Sequence, residues 1–426
     1  FRTFLVRVCQ PEMNAAGVEA KDLDKPIVLT ARSISKVVWG LSRGRAIGIN
    51  GASVTHLKLL FPTHLHKRSE ARRTLADLTA EIASAIVSGD MPVRVRQQQA
   101  RALLIALYKN DATAARICQC IDTGVPIAEA DIADLSLRPI CVPAADICVF
   151  FKTLMVKLSG VCKRAFRRFQ HAVFSSAAAA KSVIGTRLMR EKFPQLVGLL
   201  CDIRSAYNEV SRLACIKALI RVRGLEQLVK AAWAVLSFPT ELLMRTLSGF
   251  TVIENGAGVR QGDPISTAVF CAGLQQMLEF ADHWLRTNGP DGPPESPDQS
   301  WAELGRLVSA FADDMQVWAV ELAIQALLAT STWVRDFKAI LNLTLHGVKT
   351  TLVPGVDTPL DEALWQVQWQ RGDYKQHTTK HIPADSPLQC QGFAIQNVEV
   401  GPPAYVVAGF THRVDKAIGH MDRLMA

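Results

Sequence analysis

An α+β fold is what this sequence predicts, from a paired-acid hairpin, a buried strand that ends in a third acid, and long stretches with helical apolar spacing. In residues 307–320 apolar side chains flank an Ala-Asp-Asp centre, the pattern of a β-hairpin that carries Asp313 and Asp314 on its turn. Val197–Cys201 is a short apolar run that delivers Asp202 to the end of a buried strand, and Ile203 to Leu213 continues with helix-compatible spacing. Residues 71–88 and 267–280 repeat apolar positions at helical spacing, and Gly89-Asp-Met-Pro92 is a stop signal for the first of them.

Two adjacent carboxylates repel one another, and a divalent cation is the usual remedy. Ligands that are all oxygen suit Mg²⁺. An isolated Asp-Asp is otherwise an ordinary acidic turn, so the upstream acid matters. If the strand ending at Asp202 lies beside the hairpin, Asp202 and Asp313 converge, which is how a two-metal site for in-line phosphoryl displacement is assembled. Asp202 also suits a helix N-cap, and the two roles are compatible. Between these segments, Gly258-Val-Arg-Gln-Gly-Asp-Pro-Ile-Ser266 reads as a loop whose glycines let backbone approach a ligand closely.

Asp202-Ile-Arg-Ser-Ala-Tyr207, the loop from Gly258 to Ser266, and Phe311-Ala-Asp-Asp314 resemble, in this order, the three palm motifs of reverse transcriptases. The likeness is greatest to non-LTR retrotransposons, particularly the site-specific elements of trypanosomatids and their relatives that carry a restriction-like endonuclease. The resemblance implies a right-hand polymerase fold with fingers, a palm whose antiparallel sheet carries the acidic hairpin, and the start of a helical thumb. Its boundaries would be an N-terminal extension at 1–33, fingers at 34–195, palm at 196–399 with a fingers insertion near 214–250, and a truncated thumb at 400–426. The implied activity is RNA-directed DNA synthesis: dNTP addition to a DNA primer on an RNA template, with two Mg²⁺ ions, or Mn²⁺ in their place, and a nuclear location. No targeting signal is visible in the sequence.

The same resemblance implies roles for single residues. Asp202, Asp313 and Asp314 would hold the metals, with the backbone carbonyl of Ile203 as a further oxygen. Tyr207 would exclude a 2′-hydroxyl, the alternative being a core aromatic. Gln261 and Gly262 would shape the nucleotide pocket. Lys349 would protonate the departing pyrophosphate or is simply a surface lysine. Lys109 and Arg138 would meet the triphosphate from two fingers strands, although a short-strand surface charge explains Arg138 equally well. Residues 110–137 form a longer connection than a fingers hairpin needs, a departure from the family.

At 426 residues, 49% hydrophobic and 20% charged, the chain has the composition of a globular protein of two or three lobes. Its formal charge of +9 fits a polyanionic partner. The ten cysteines include Cys118-Gln-Cys120 but no Cys-x-x-Cys pair, so neither a zinc knuckle nor a disulfide framework is legible, and reduced thiols are expected. His64-Leu-His66 lacks a second pair. No apolar run approaches a membrane span, so no membrane partner is expected. The opening Phe1-Arg2 reads as part of a longer polypeptide.

The remaining stretches carry looser likenesses. Residues 34–53 read as an amphipathic helix running into a glycine-rich turn, like the Gly-x-x-Gly turn ahead of the family's fingers. Residues 93–109 resemble the lead into the first fingers strand, and 137–142 the second, where Pro139 marks an edge. Residues 152–192 interleave Lys and Arg with Phe, as a backbone-tracking surface or a solvated helix would. Gln170 matches the family there, but Ser175-Ser-Ala-Ala-Ala-Ala replaces its glycine-rich loop. Residues 286–300 read as a loop. Residues 333–352 resemble a fourth motif as helix, turn and strand; 388–395 resemble the primer grip, with Gln391 where Leu is usual; and 405–426 read as an amphipathic thumb helix. Two rival readings stay open: a catalytically silent nucleic-acid-binding remnant, favoured by the alanine tract and the long connection, and an RNA-directed RNA polymerase, which would usually place an acid near Tyr207.

Overall fold

The computed structural model describes residues 2–42, 50–63, 69–108, 111–125, 137–174, 178–246, 249–288, 307–346, 349–355, 380–381, 393–395 and 398–400. Lys109, His64, His66, Gly347, Gln391, residues 289–300 and the thumb segment 405–426 lie outside them. The strands in chain order are β1 (Ala102–Tyr108), β2 (Leu137–Pro143), β3 (Val197–Cys201), β4 (Thr240–Thr246), β5 (Gly249–Asn255), β6 (Leu307–Phe311), β7 (Asp314–Ala319), β8 (Thr351–Val353), β9 (Lys380–His381), β10 (Phe393–Ile395) and β11 (Val398–Val400). With the helices between them they form two compact units, 1–159 with 219–269 and 160–218 with 270–426. The predicted α+β class is the observed one.

The first unit holds a four-stranded sheet in the order β2-β1-β4-β5. β1 pairs antiparallel with β2 from Ala102 opposite Pro143 to Tyr108 opposite Leu137, and parallel with β4. Ala102, Cys141 and Leu242 bury a common face against Leu104. Pro139 stands on the edge strand, where its missing N–H costs no ladder bond. Among the helices, Glu70–Ser88 ends at Gly89 with φ +70, whose N–H returns to Ala85 and Ile86 carbonyls. This is the left-handed stop that the glycine predicts. The helix Ala31–Trp39 is closed at its start by Thr30 and Ser33 bonding each other's backbone.

The second unit is built on a five-stranded sheet, β6-β7-β3-β8-β9, with β10 and β11 as a separate antiparallel pair. β3 lies between β7 and β8, antiparallel to both. That position explains its uninterrupted apolar run. Gly198 faces Trp318 across the ladder, and a Cβ there would stand 2.5 Å from the indole, so only glycine lets this ring lie over the strand. Trp318 joins Val183, Met189, Leu196, Leu307 and Val353 in one buried cluster.

Beneath the hairpin runs a buried polar network. Gln316 on β7 donates to Ser182 and Ser309, at 3.1 and 2.9 Å, and accepts from Thr186 and the Trp318 indole, at 2.9 and 3.0 Å. Every hydrogen-bonding site of that amide is used. Gln316→Leu would strand several buried donors and acceptors, so an equilibrium denaturant titration should find stability lower by about 2–4 kcal/mol.

Two helices differ from the sequence expectation. The one predicted over 267–280 runs from Ser266 to Asn288, because Ala281 and Leu285 continue its buried face and Asp282 pairs with both Arg286 and Arg168. The helical spacing after Asp202 is interrupted instead. It gives the short helix Ala206–Glu209, then extended and buried Val210, then Arg212–Ile220. Long-range bonds take over the backbone groups at the break: Ser211 N–H donates to the Leu341 carbonyl at 2.7 Å, and the Asn342 amide donates to the Glu209 carbonyl at 3.0 Å. No helix among the described residues is long and apolar enough to cross a membrane.

Candidate active site at the acidic end of the second sheet

Phe311 pairs with Asp314, so β6 and β7 are joined by Ala312 and Asp313 alone. Ala312 takes φ +57, the left-handed region that a two-residue hairpin demands and that an alanine enters at a cost of roughly 1–2 kcal/mol. The flanking Ala310, Met315, Val317 and Trp318 are buried and hold the hairpin in place. Strain of this kind persists only where the surroundings over-determine it.

The third acid reaches the same end through register. Cys201 on β3 stands opposite Met315 on β7 as the last pair of that ladder, so Asp202 and Asp314 are the next residues along at the same sheet end. The Asp202 carbonyl accepts the His346 N–H at 2.7 Å, and Arg204 N–H donates to the Thr344 carbonyl at 2.9 Å, which makes Ile203 and Leu345 a non-hydrogen-bonded antiparallel pair. Successive carbonyls of a strand point to opposite sides. The Ile203 carbonyl is therefore directed away from Leu345. Asp202 N–H also donates to Thr350 Oγ1, at 3.4 Å.

Asp313 makes its charge felt in the adjoining helix. Burial pushes the Cys271 thiol up, and the negative field of Asp313 adds to that shift. Burial and then Asp202 act in the same direction on Cys201. These thiols stay protonated, the expected state for cysteines that form no disulfide. Among the described residues no three carboxylate, histidine or cysteine side chains are gathered into a ready-made metal cluster. The acids share one sheet end, but their side chains are not closed around a common point.

The other residues singled out in the sequence have separate surroundings. Tyr207 is buried and stacks on Phe270, with ring centroids 4.7 Å apart and planes 17° from parallel. Lys349 is exposed on the stretch that also carries Thr350, and its N–H donates to the His346 carbonyl at 3.1 Å. In the first unit Arg138 is exposed on β2, opposite Leu107. Gln261 and Gly262 sit in a loop strapped to the same strand: Cys141 N–H donates to the Gln261 carbonyl at 2.7 Å. Gly262 takes φ +100, and a Cβ there would stand 2.3 Å from the Cys141 carbonyl oxygen. The close approach that this glycine permits is thus to a protein strand. The Gln261 side-chain oxygen is buried without a hydrogen-bond partner, a polar group left for a ligand or water to satisfy.

No family model and no curated protein matches this sequence. Two of the solved structures similar in chain trace are telomerases. One is apo telomerase from Candida tropicalis truncated from its C-terminal domain, with 10% identity and a TM-score of 0.42 over 72% of this chain and 54% of that one. The other is telomerase from Candida albicans in complex with a TWJ fragment of telomeric RNA, with 13% identity and a TM-score of 0.43 over 74% and 47%. This chain spans about half the length of each.

Several residues that shape these surroundings escaped sequence reasoning. Arg260 is buried, bonded to the Asp263 carboxylate and the Ala100 carbonyl. Thr350, Thr186 and Gln316 are buried polar residues, and so is Gln170, which the sequence marked only as a match to the family. The one available signal was an Arg and an Asp three residues apart around a glycine, a spacing that allows a local ion pair. A lone Gln or Thr in an apolar strand or helix carries no comparable sign.

Proposed function

We propose that this chain is the catalytic part of an RNA-directed DNA polymerase of the non-LTR retrotransposon type, with an RNA template, a DNA primer and dNTP as its partners. The observation that carries the reading is the β3–β7 register, which ends at Cys201 and Met315 and so brings Asp202 and Asp314 to one sheet end, beside the turn that bears Asp313. Three carboxylates and a peptide carbonyl would make an all-oxygen donor set, which suits Mg²⁺, or Mn²⁺ in its place. Asp202 and Asp313 would hold two such ions, with Asp314 and the Ile203 carbonyl in support. Bound there, the ions would lower the pKa of the primer 3′-hydroxyl and neutralise charge on the phosphoryl group in flight.

The chain's own residues do the rest. Strained Ala312 and the buried strands hold the acids at one sheet end before substrate arrives. Arg138, and Lys109 in this reading, would counter triphosphate charge, Gln261 and Gly262 would border the base, and Lys349 would give a proton to pyrophosphate. Residues 34–195 would be fingers, 196–399 palm with an insertion near 214–250, and 400–426 the start of a thumb. A nuclear location belongs to the same reading.

Purified protein should extend a DNA primer on an RNA template with dNTP and Mg²⁺, and chelation should stop it. Template bound without incorporation in either Mg²⁺ or Mn²⁺ would leave the silent-remnant reading instead. Preference for rNTP would favour the RNA polymerase.

Tyr207 supplies a sharper test. Its ring is fixed by Phe270, so it cannot swing aside to admit a larger sugar without breaking the stack. Tyr207→Ala should reduce discrimination against rNTP by about 2–4 kcal/mol, measured as single-nucleotide incorporation with paired dNTP and rNTP. The same substitution should lower stability by roughly 3 kcal/mol, as loss of a buried aromatic does. A destabilised variant with unchanged discrimination would assign Tyr207 to the core alone.

A further inference from the structure

We propose that Gln170 is a positioning residue for Asp313, acting through the backbone of the acidic turn; this inference rests on the polymerase reading of that turn. Gln170 is 1% exposed, so it touches no substrate. The segment around it runs along β6 as an extra rung: Ala310 N–H donates to the Phe169 carbonyl at 2.7 Å and His171 N–H donates to the Ala310 carbonyl at 2.9 Å. From that anchored backbone the Gln170 side chain extends along the strand to the turn. Its Nε2 donates to the Ala312 carbonyl at 3.5 Å, and its Oε1 accepts from Cys271 Sγ at 3.4 Å. The reverse amide orientation would set oxygen against the Ala312 carbonyl oxygen, so the assignment follows from the partners.

The place of this bond matters more than its strength, which at 3.5 Å is small. The Ala312 carbonyl belongs to the peptide unit whose N–H is that of Asp313. Fixing that oxygen fixes the peptide plane, and with it the direction in which the Asp313 side chain leaves the backbone. The strand ladder cannot do this, because Phe311–Asp314 is its last pair. Ala312 also sits in a backbone region that alanine does not prefer, so an outside restraint on the turn has something to oppose. A carboxylate misplaced by a fraction of an ångström holds a metal poorly, and displacement of about 1 Å can cost about 10²-fold in rate.

A purely structural Gln170 would contribute to stability and leave each folded molecule fully active. Gln170→Met keeps the shape and removes both bonds. Gln316→Leu serves as the control, because it too removes a buried amide of this sheet, but one with no bond to the turn. We expect Gln170→Met to lower kcat for primer extension about 10- to 100-fold, with KM for dNTP within about 2-fold of the parent value. Mn²⁺ affinity of the free protein, measured by electron paramagnetic resonance, should weaken about 10-fold, while Gln316→Leu loses stability but keeps kcat and Mn²⁺ affinity. Should Gln170→Met fail to fold, Cys271→Ala, which releases the other end of the amide, decides: a smaller fall in kcat and in Mn²⁺ affinity is expected.

Unchanged kcat and Mn²⁺ affinity in the folded variant would overturn the inference while leaving the polymerase reading intact. An equal loss in Gln316→Leu would overturn it too, by assigning the effect to general loosening of the sheet. A parent protein that neither extends primers nor binds Mn²⁺ would remove the polymerase reading, and the inference with it.

Discussion

Asp313→Asn should abolish primer extension while leaving the fold and template binding as they are. Asparagine matches aspartate in shape and is at home in tight turns, so the two-residue connection between β6 and β7 should persist. What changes is charge. In the polymerase reading proposed above, a neutral amide would not replace the Asp313 carboxylate as a metal ligand, and the charge stabilisation lost with it would amount to several kcal/mol. A loss on the order of 4 kcal/mol is about a 10³-fold fall in rate. The measurement is primer extension in Mg²⁺ by parent and variant of equal thermal midpoint, alongside RNA–DNA binding. Extension at the parent's rate would show that this hairpin is an ordinary acidic turn.

Gly262→Ala should be the most disruptive single methyl group in the first unit. Two costs combine there. A φ of +100 lies where side-chain-bearing residues are strained, and the added Cβ would stand 2.3 Å from the Cys141 carbonyl oxygen, a backbone atom that cannot rotate away. Relief requires the loop to lift from β2, which breaks the 2.7 Å bond from Cys141 N–H to the Gln261 carbonyl. It also disturbs Arg260, whose buried guanidinium depends on Asp263 and the Ala100 carbonyl. Strain and overpacking each contribute about 1–3 kcal/mol, so a loss of about 2–4 kcal/mol in a denaturant titration is expected. Gly256→Ala is the control, since nothing stands within 4 Å of its added methyl. If both variants melt together with the parent, the loop is not bound to β2 as described. In the folded fraction of Gly262→Ala, KM for dNTP should rise, because Gln261 loses its fixed place.

The sequence by itself determined the pieces whose signals are local. Alternation about Ala-Asp-Asp specified the hairpin, an unbroken apolar run specified the central strand, and Gly89 specified where its helix stops, because strand period, full burial and a left-handed cap each leave a mark within a few residues. Pro139 marked an edge strand for the same reason. Tertiary structure decided what depends on residues far apart in the chain. The register that brings Asp202 and Asp314 to one sheet end is a pairing of strands more than a hundred positions apart, and a slip by one residue would turn β3 over. The helix predicted after Asp202 breaks at Val210 because Leu341 and Asn342 offer its backbone better partners than another helical turn would. Gln170, Gln316 and Arg260 are polar residues whose burial no local pattern announces. They are buried because distant strands and loops satisfy them, and burial of a polar group is decided by its partners and not by its own character.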